Sequence, residues 1–428
     1  MEASTISHDE SSLSRPLIAH QNSLERKLED VEANSTHNTT SFYKTCFHGL
    51  NALSGVGILS IPYALASGGW LSLILLFMLA TAGFYSALLI QRCMDVDSNI
   101  RTYPDIGELA FGTKGRLVVS IFMYIELYLV ATGFLILEGD NLLILFPNLG
   151  FQLAGLTGKQ TIVVLVALII LPSVWLDNLS ILSYVSASGV IASVIILSSI
   201  LWAGAFEGIG FHQKGSMINW NGIPTAVSLY AFCYCAHPVF PTLYTSMRNK
   251  RQFPNVMLIC FILCTVSYAS MAIVGYLMFG SKVESQITLN LSTGNLGSMI
   301  AIYTTLVNPI SKYALMVTPI VNAMRSSFPF HYLSNKRSFG LFISTALVAS
   351  TVIVALAIPF FGYLMSLVGA FLSVTASIIL PCLCYLKISG IYRRFGFEMM
   401  GLIGVILLGV VIVITGTYTS LVEILDHL

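Results

Sequence analysis

Charge is scarce in this chain. Of 428 residues only 10% are Asp, Glu, Lys or Arg, 56% are hydrophobic, and the mean hydropathy is +0.81. Soluble domains carry roughly 25% charged residues, so a soluble enzyme is excluded. Net charge is +1 and no basic run interleaved with aromatics occurs outside short loops, which excludes nucleic acid as a partner. The eight cysteines lack metal-site spacing. Cys46, Cys233, Cys235, Cys260, Cys264, Cys382 and Cys384 sit inside apolar segments and Cys93 ends one, so they read as small hydrophobic residues, with no metal and no cofactor expected. No HExxH, no GxSxG and no pair of intramembrane aspartates appears, which argues against an intramembrane enzyme.

The first 40 residues lack any apolar stretch of signal-peptide length and hold ten charged side chains, seven of them acidic. Residues 1–41 therefore read as a disordered cytosolic tail, with sequons at Asn34 and Asn38 and a dileucine-like stretch at Arg15-Pro16-Leu17-Ile18.

Beyond the tail the chain is apolar over long runs. Eleven segments, near 42–66, 70–92, 115–139, 159–177, 179–204, 221–246, 254–279, 298–322, 339–360, 363–386 and 399–424, are each long enough for a hydrocarbon core of roughly 30 Å. The expectation is an all-α integral membrane domain over 42–428, embedded in lipid, with very short connections at Asp177-Asn178 and Phe361-Gly362. With the tail inside, 17 Lys and Arg fall on the cytosolic side and three, Lys159, Lys214 and Lys282, on the other. That split fits the positive-inside rule, and it puts Leu428 and the Asn290-Leu-Ser292 sequon on the non-cytosolic face.

Two spans are interrupted. The first reads Asn51-Ala-Leu-Ser54-Gly55-Val56-Gly57-Ile58-Leu-Ser60-Ile-Pro62-Tyr63. The sixth reads Tyr230-Ala-Phe232-Cys233-Tyr-Cys235-Ala236-His237-Pro238-Val-Phe-Pro241. Glycine weakens a helix by about 1 kcal/mol and proline by about 3, so both helices are expected to break near the bilayer midplane. Broken backbone at that depth must face protein or a water-lined cavity. Matching breaks five spans apart divide the chain into repeat A, about 42–204, repeat B, about 221–386, and an extra helix, about 399–424.

These residues carry a resemblance. The segment 51–64, the run Phe232 to Met247 and Lys312-Tyr-Ala-Leu315 resemble the amino acid/auxin permease family, in its plant and fungal vacuolar amino-acid transporter branch. The resemblance implies a five-plus-five inverted repeat, an amino acid as substrate and a vacuolar membrane. The family usually has Ser-Gly-His-Ala where this chain has Cys235-Ala236-His237-Pro238, so the sixth span departs from its pattern.

The half-helix rule then assigns poles. The substrate carboxylate is expected at the N–H groups of Gly55, Val56 and Gly57, beside Ser54, and the ammonium at carbonyls from Tyr230 through Phe232 and Cys233. Ser120, Tyr124, Tyr128 and Thr132 form one hydroxyl stripe at i, i+4 spacing, and the fold resemblance implies that a tyrosine there closes over substrate. Glu126 lies about 200° around the helix from both tyrosines and reads as a proton relay or as a buried ordering pair. In the eighth span Thr304, Thr305, Asn308, Ser311 and Lys312 share an arc of about 120°. In sodium-coupled members of the fold that the resemblance implies, hydroxyls of the eighth span and carbonyls of the first make a sodium site, which Thr305 and Asn308 could supply, whereas an ammonium at Lys312 stands in for the cation and favours protons. A structural tie of Lys312 to a carboxylate or to helix-end carbonyls is the alternative. His237 is a second titratable candidate or a donor to freed carbonyls.

The reading is a secondary carrier of amino acids working by alternating access. The rivals are a sodium-coupled carrier and an amino-acid sensor that signals through the tail.

Overall fold

The computed structural model describes residues 40–147, 157–175, 182–327, 336–393 and 396–427. The tail with its sequons and sorting stretch, the Asp177-Asn178 connection, Arg394 and Leu428 lie outside them. The described chain is helical, with an isolated bridge between Thr40 and Met247 as its β contact. Its helices are α1 (Phe42–Leu53), α2 (Ile61–Gly68), α3 (Ser72–Met94), α4 (Tyr103–Leu145), α5 (Gly158–Trp175), α6 (Leu182–Phe206), α7 (Ile223–Cys233), α8 (Phe240–Ser246), α9 (Phe253–Phe279), α10 (Leu296–Ser327), α11 (Lys336–Ala357), α12 (Phe361–Leu367), α13 (Leu380–Ser389) and α14 (Phe397–His427).

The prolines explain how the interrupted spans resume. Pro62 opens α2 and Pro241 opens α8, each in the first turn, where the missing N–H has no helical acceptor to lose. In α4, Gly112 takes φ 68°, so the helix turns sharply before it enters the membrane, and Gly107 packs on Gly115 at that corner. Between α12 and α13 the chain winds into wide π turns over Val368–Ser373 and Thr375–Ile379.

Among the described residues nine helical stretches are long and apolar enough to cross a membrane, two of them composites, Trp220–Ser246 made of α7 and α8 and Phe361–Ser389 made of α12 and α13. Two expected spans are not among them, for two reasons. The first is cut into α1 and α2, neither long enough alone, and α10 carries the polar face around Lys312. The broken elements occupy the centre: α1 packs against α9 and α6, α2 against α9 and α7, and α7 against the π turns and α14. Bulky apolar side chains such as Ile169, Ile353 and Ile414 are exposed, as lipid-facing residues must be. Where the tail joins the body, Thr40 clips the end of α8: its N–H donates to the Ser246 carbonyl at 2.7 Å, and its carbonyl accepts from Arg248 N at 3.1 Å.

Candidate functional site

The first break spans Ser54 to Ser60. Ser54 caps α1 by donating its N–H to Leu50 O at 2.6 Å, and Gly55 donates to Leu53 O at 2.8 Å before a 3₁₀ turn covers Val56–Leu59. The N–H groups of Val56 and Gly57 open that turn and donate to no acceptor among the described residues. Of the three amides expected to meet a carboxylate, then, two are free and Gly55 is engaged. Gly55 has the opposite merit: a Cβ built there meets nothing nearer than Gly57 N at 4.0 Å, so its open side faces space.

At the second break α7 ends at Cys233 and a 3₁₀ turn over His237–Val239 leads into α8. The carbonyls here are largely used: Ala231 O accepts from Tyr234 N at 3.1 Å and Phe232 O from Cys235 N at 3.3 Å. Cys233 O accepts from the Tyr268 hydroxyl at 3.2 Å. Tightening of the helix end and a neighbouring hydroxyl thus give the Phe232 and Cys233 carbonyls one donor each, which leaves each a second lone pair. The Tyr230 hydroxyl pairs with Ser72 of α3 at 3.1 Å, so its buried side chain points to packing.

The two breaks are bound to each other. Tyr268, on α9, also donates to Leu53 O at 2.5 Å, so one hydroxyl joins the last carbonyl of α1 to the last carbonyl of α7. Beside it a Cβ at Gly57 would stand 2.7 Å from Cys233 Sγ, so any larger residue there must push that sulfur aside.

Lys312 meets the first break from α10. It is buried, and Nζ donates to Asn51 O at 3.2 Å and to Ser54 O at 3.0 Å. Both carbonyls belong to the C-terminal end of α1, where the helix leaves acceptors unpaired and the dipole is negative. Of the two structural alternatives for Lys312, the structure thus selects helix-end carbonyls over a carboxylate. Thr305 and Asn308 are buried on the same helix, but the Thr305 hydroxyl donates back to Ala301 O at 2.9 Å. Pro309 lacks the N–H that would otherwise reach the Thr305 carbonyl. Across from Lys312, α6 contributes Gly189, where a Cβ would collide with Asn51 Oδ1 and come 3.2 Å from Lys312 Cε. Ser193, one turn on, is hydrogen-bonded to the Ser54 hydroxyl.

The hydroxyl stripe of α4 goes elsewhere. Tyr128 donates to Ser350 of α11 at 3.2 Å, and Tyr313 of α10 pairs with Thr351 at 2.6 Å in the same seam. Tyr124 shares the Tyr128 face one turn earlier and is half-buried. Helical spacing fixed the face, but the neighbour it meets is α11, so Tyr128 does not close over the breaks in this structure.

Glu126 faces away from the tyrosines and is buried, accepting from Ser373 Oγ at 2.6 Å, and no cation pairs with it among the described residues. The ordering-pair alternative therefore has no basic partner. His237 is fully buried against α3, with Nε2 2.7 Å from Ser86 Oγ and 2.9 Å from Gly83 O.

Sequence reasoning missed Tyr268, Asn51, Gly189 and Ser373. Asn51 alone gave a signal, being an amide within an apolar segment. It also missed a second buried acid of α4, Glu138, whose carboxylate oxygens have no hydrogen-bond partner among the described residues. Nearby, Asn141 donates to Gln286 at 2.7 Å, Gln286 donates to Asp140 at 3.0 Å, and Asp140 pairs with Lys159, closing the C-terminal end of α4.

Over residues 38–422 the chain matches the family described as transmembrane amino acid transporter protein. It is 65% identical over 426 residues to Amino acid transporter AVT1J of Arabidopsis thaliana, covering 98% of this chain and 99% of that protein. It is 43% identical over 392 residues to Amino acid transporter AVT1C of the same plant, covering 91% and 71%. Among solved structures it resembles a Na⁺-coupled sialic acid symporter in a substrate-bound outward-open state. That TM-score is 0.51 at 12% identity, over 88% of this chain and 89% of that one, which is a likeness of fold.

Proposed function

Because the chain belongs to the transmembrane amino acid transporter family, we propose that it carries amino acids by alternating access, coupled to protons, in the vacuolar membrane. The observation that carries this reading is the meeting of Lys312 with the first broken helix, in a protein whose two breaks are tied together by Tyr268. The substrate carboxylate binds the free N–H groups of Val56 and Gly57, next to the open side of Gly55. The ammonium takes the second lone pairs of the Phe232 and Cys233 carbonyls.

Lys312 is the coupling group. A sodium ion at that place needs the carbonyls of Asn51 and Ser54, which the ammonium holds. Thr305 and Asn308 are the side chains that flank it. Eleven spans, the nine apolar stretches together with the broken first span and α10, leave the termini on opposite faces, and the split of basic residues puts the tail in the cytosol. The vacuolar assignment is supported by the resemblance to the plant and fungal vacuolar branch.

The test is counterflow in proteoliposomes with a panel of labelled amino acids, with and without a pH gradient. Exchange of at least one amino acid, with accumulation driven by the gradient, is expected. Absence of exchange across the whole panel would refute carriage, and binding without exchange that depends on residues 1–40 would favour the sensor.

A further inference from the structure

A small cavity lies behind the second break, away from Lys312. Its volume is about 10 Å³, room for one water, and its lining includes His237, Tyr234, Ser373, Ser377 and Gly83. Two lining groups lack partners among the described residues: His237 Nδ1 and Ser377 Oγ are both buried without a hydrogen bond. Contact of His237 Nε2 with the Gly83 carbonyl places the proton on Nε2, because a carbonyl only accepts; Nδ1 then keeps its lone pair, and the Tyr234 carbonyl beside the ring is an acceptor for it once it is protonated. A water needs two to four polar partners, and this cavity supplies them. Ser373, also on the lining, donates to Glu126. It ends one π-helical stretch and Ser377 lies in the next, a rare winding that recurs at functional sites.

Resting on the transport reading above, we infer that Glu126, Ser373, Ser377 and His237, joined by a water in this cavity, form a second proton-binding site at the hinge of the second broken helix. The transfer balances along the chain. The Ser373 hydroxyl, which donates to Glu126 in this structure, first turns to donate to the water and so accepts from the Glu126 O–H. The Glu126 O–H then breaks as Ser373 Oγ gains that proton, Ser373 passes its own proton to the water, and the water passes one of its protons to His237 Nδ1. A neutral acid and neutral imidazole become a carboxylate and an imidazolium, and no other reactant is needed. The groups facing Glu126 are Ser373, the Cys235 thiol and the Tyr103 phenol, and those facing His237 are Ser86, Tyr234 and the rings of Phe240 and Phe261. No described Lys or Arg is ion-paired with either end. His237 stands in the turn between α7 and α8, so its charge changes where the helix must flex.

The experiment is the pH gradient at which net flux of a transported amino acid reverses in proteoliposomes, which gives protons moved per substrate. Glu126→Gln and His237→Gln keep size and hydrogen bonding but cannot carry the proton, and each is expected to lower that ratio by one proton. If Glu126→Gln does not yield a monodisperse protein, Ser377→Ala replaces it and must slow gradient-driven uptake at least tenfold while exchange persists. A wild-type flux that no pH gradient reverses would defeat the proton coupling on which this rests. A wild-type flux that does reverse, at a gradient either variant leaves unchanged, overturns this site alone.

Discussion

The ammonium of Lys312 lies 3.0 Å from the carbonyl oxygen of Ser54, the residue at which the first helix stops. A cation supplied by the chain itself thus neutralises the end of the broken helix. Any movement of α1 away from α10 must give that contact up, or give up the charge.

The glycines of the first break have separate roles, and substitution should separate them. Gly55→Val adds a side chain into open space, so the protein should keep its thermal stability while substrate affinity falls at least tenfold. Gly57→Ala forces a Cβ against Cys233 Sγ and should destabilise by about 1–3 kcal/mol, the usual cost of overpacking. The double variant with Cys233→Ala should recover most of that loss, since the nearest remaining contacts are ordinary ones. Melting curves and substrate titrations of the four proteins check this, and a stability loss at Gly55→Val equal to that at Gly57→Ala would refute the division.

Tyr268→Phe should cost about 1–3 kcal/mol, because it removes the donor shared by two buried carbonyls and leaves Cys233 O without it. The hydroxyl also locks the two breaks to one helix, so the variant should change the apparent affinity for substrate as well as the melting temperature. An unchanged melting temperature would mean that the two carbonyls find other donors.

Gly189→Ala drives a methyl into Asn51 Oδ1, and that oxygen has no hydrogen bond among the described residues to hold it elsewhere. Expression of folded protein should fall sharply, and Asn51→Ala in the same chain should restore it. Size-exclusion profiles of the single and double variants decide the point.

Topology gives a prediction of its own. In sealed vesicles with the cytosolic side outward, protease should remove a tag at residue 5 and spare a tag placed after Leu428. Protection of the first tag, or loss of the second, would contradict the 17-to-three division of basic residues.

The breaks were legible because glycine pairs and prolines alter backbone cost wherever they stand, whatever their neighbours. Lys312 was legible because a lysine inside an apolar run is rare enough to demand a partner. The partner was not, since carbonyls of a distant helix leave no mark in composition. Tyr124 and Tyr128 show the limit of periodicity: i, i+4 spacing says that residues share a face, but not which helix that face meets. Tyr268 was invisible for a related reason, as one more aromatic on an apolar helix. That the Phe232 and Cys233 carbonyls each already hold one donor was not legible either, because a helix end can tighten on itself with no mark in the sequence.

The most direct test of the account is gradient-driven uptake by Lys312→Met in proteoliposomes, beside wild type, with sodium replaced by choline in parallel. Wild type should accumulate amino acid under a pH gradient whether or not sodium is present. Lys312→Met should lose that accumulation while still exchanging one amino acid for another across the membrane. Wild-type uptake that requires sodium and ignores pH, with accumulation retained in Lys312→Met, would contradict it.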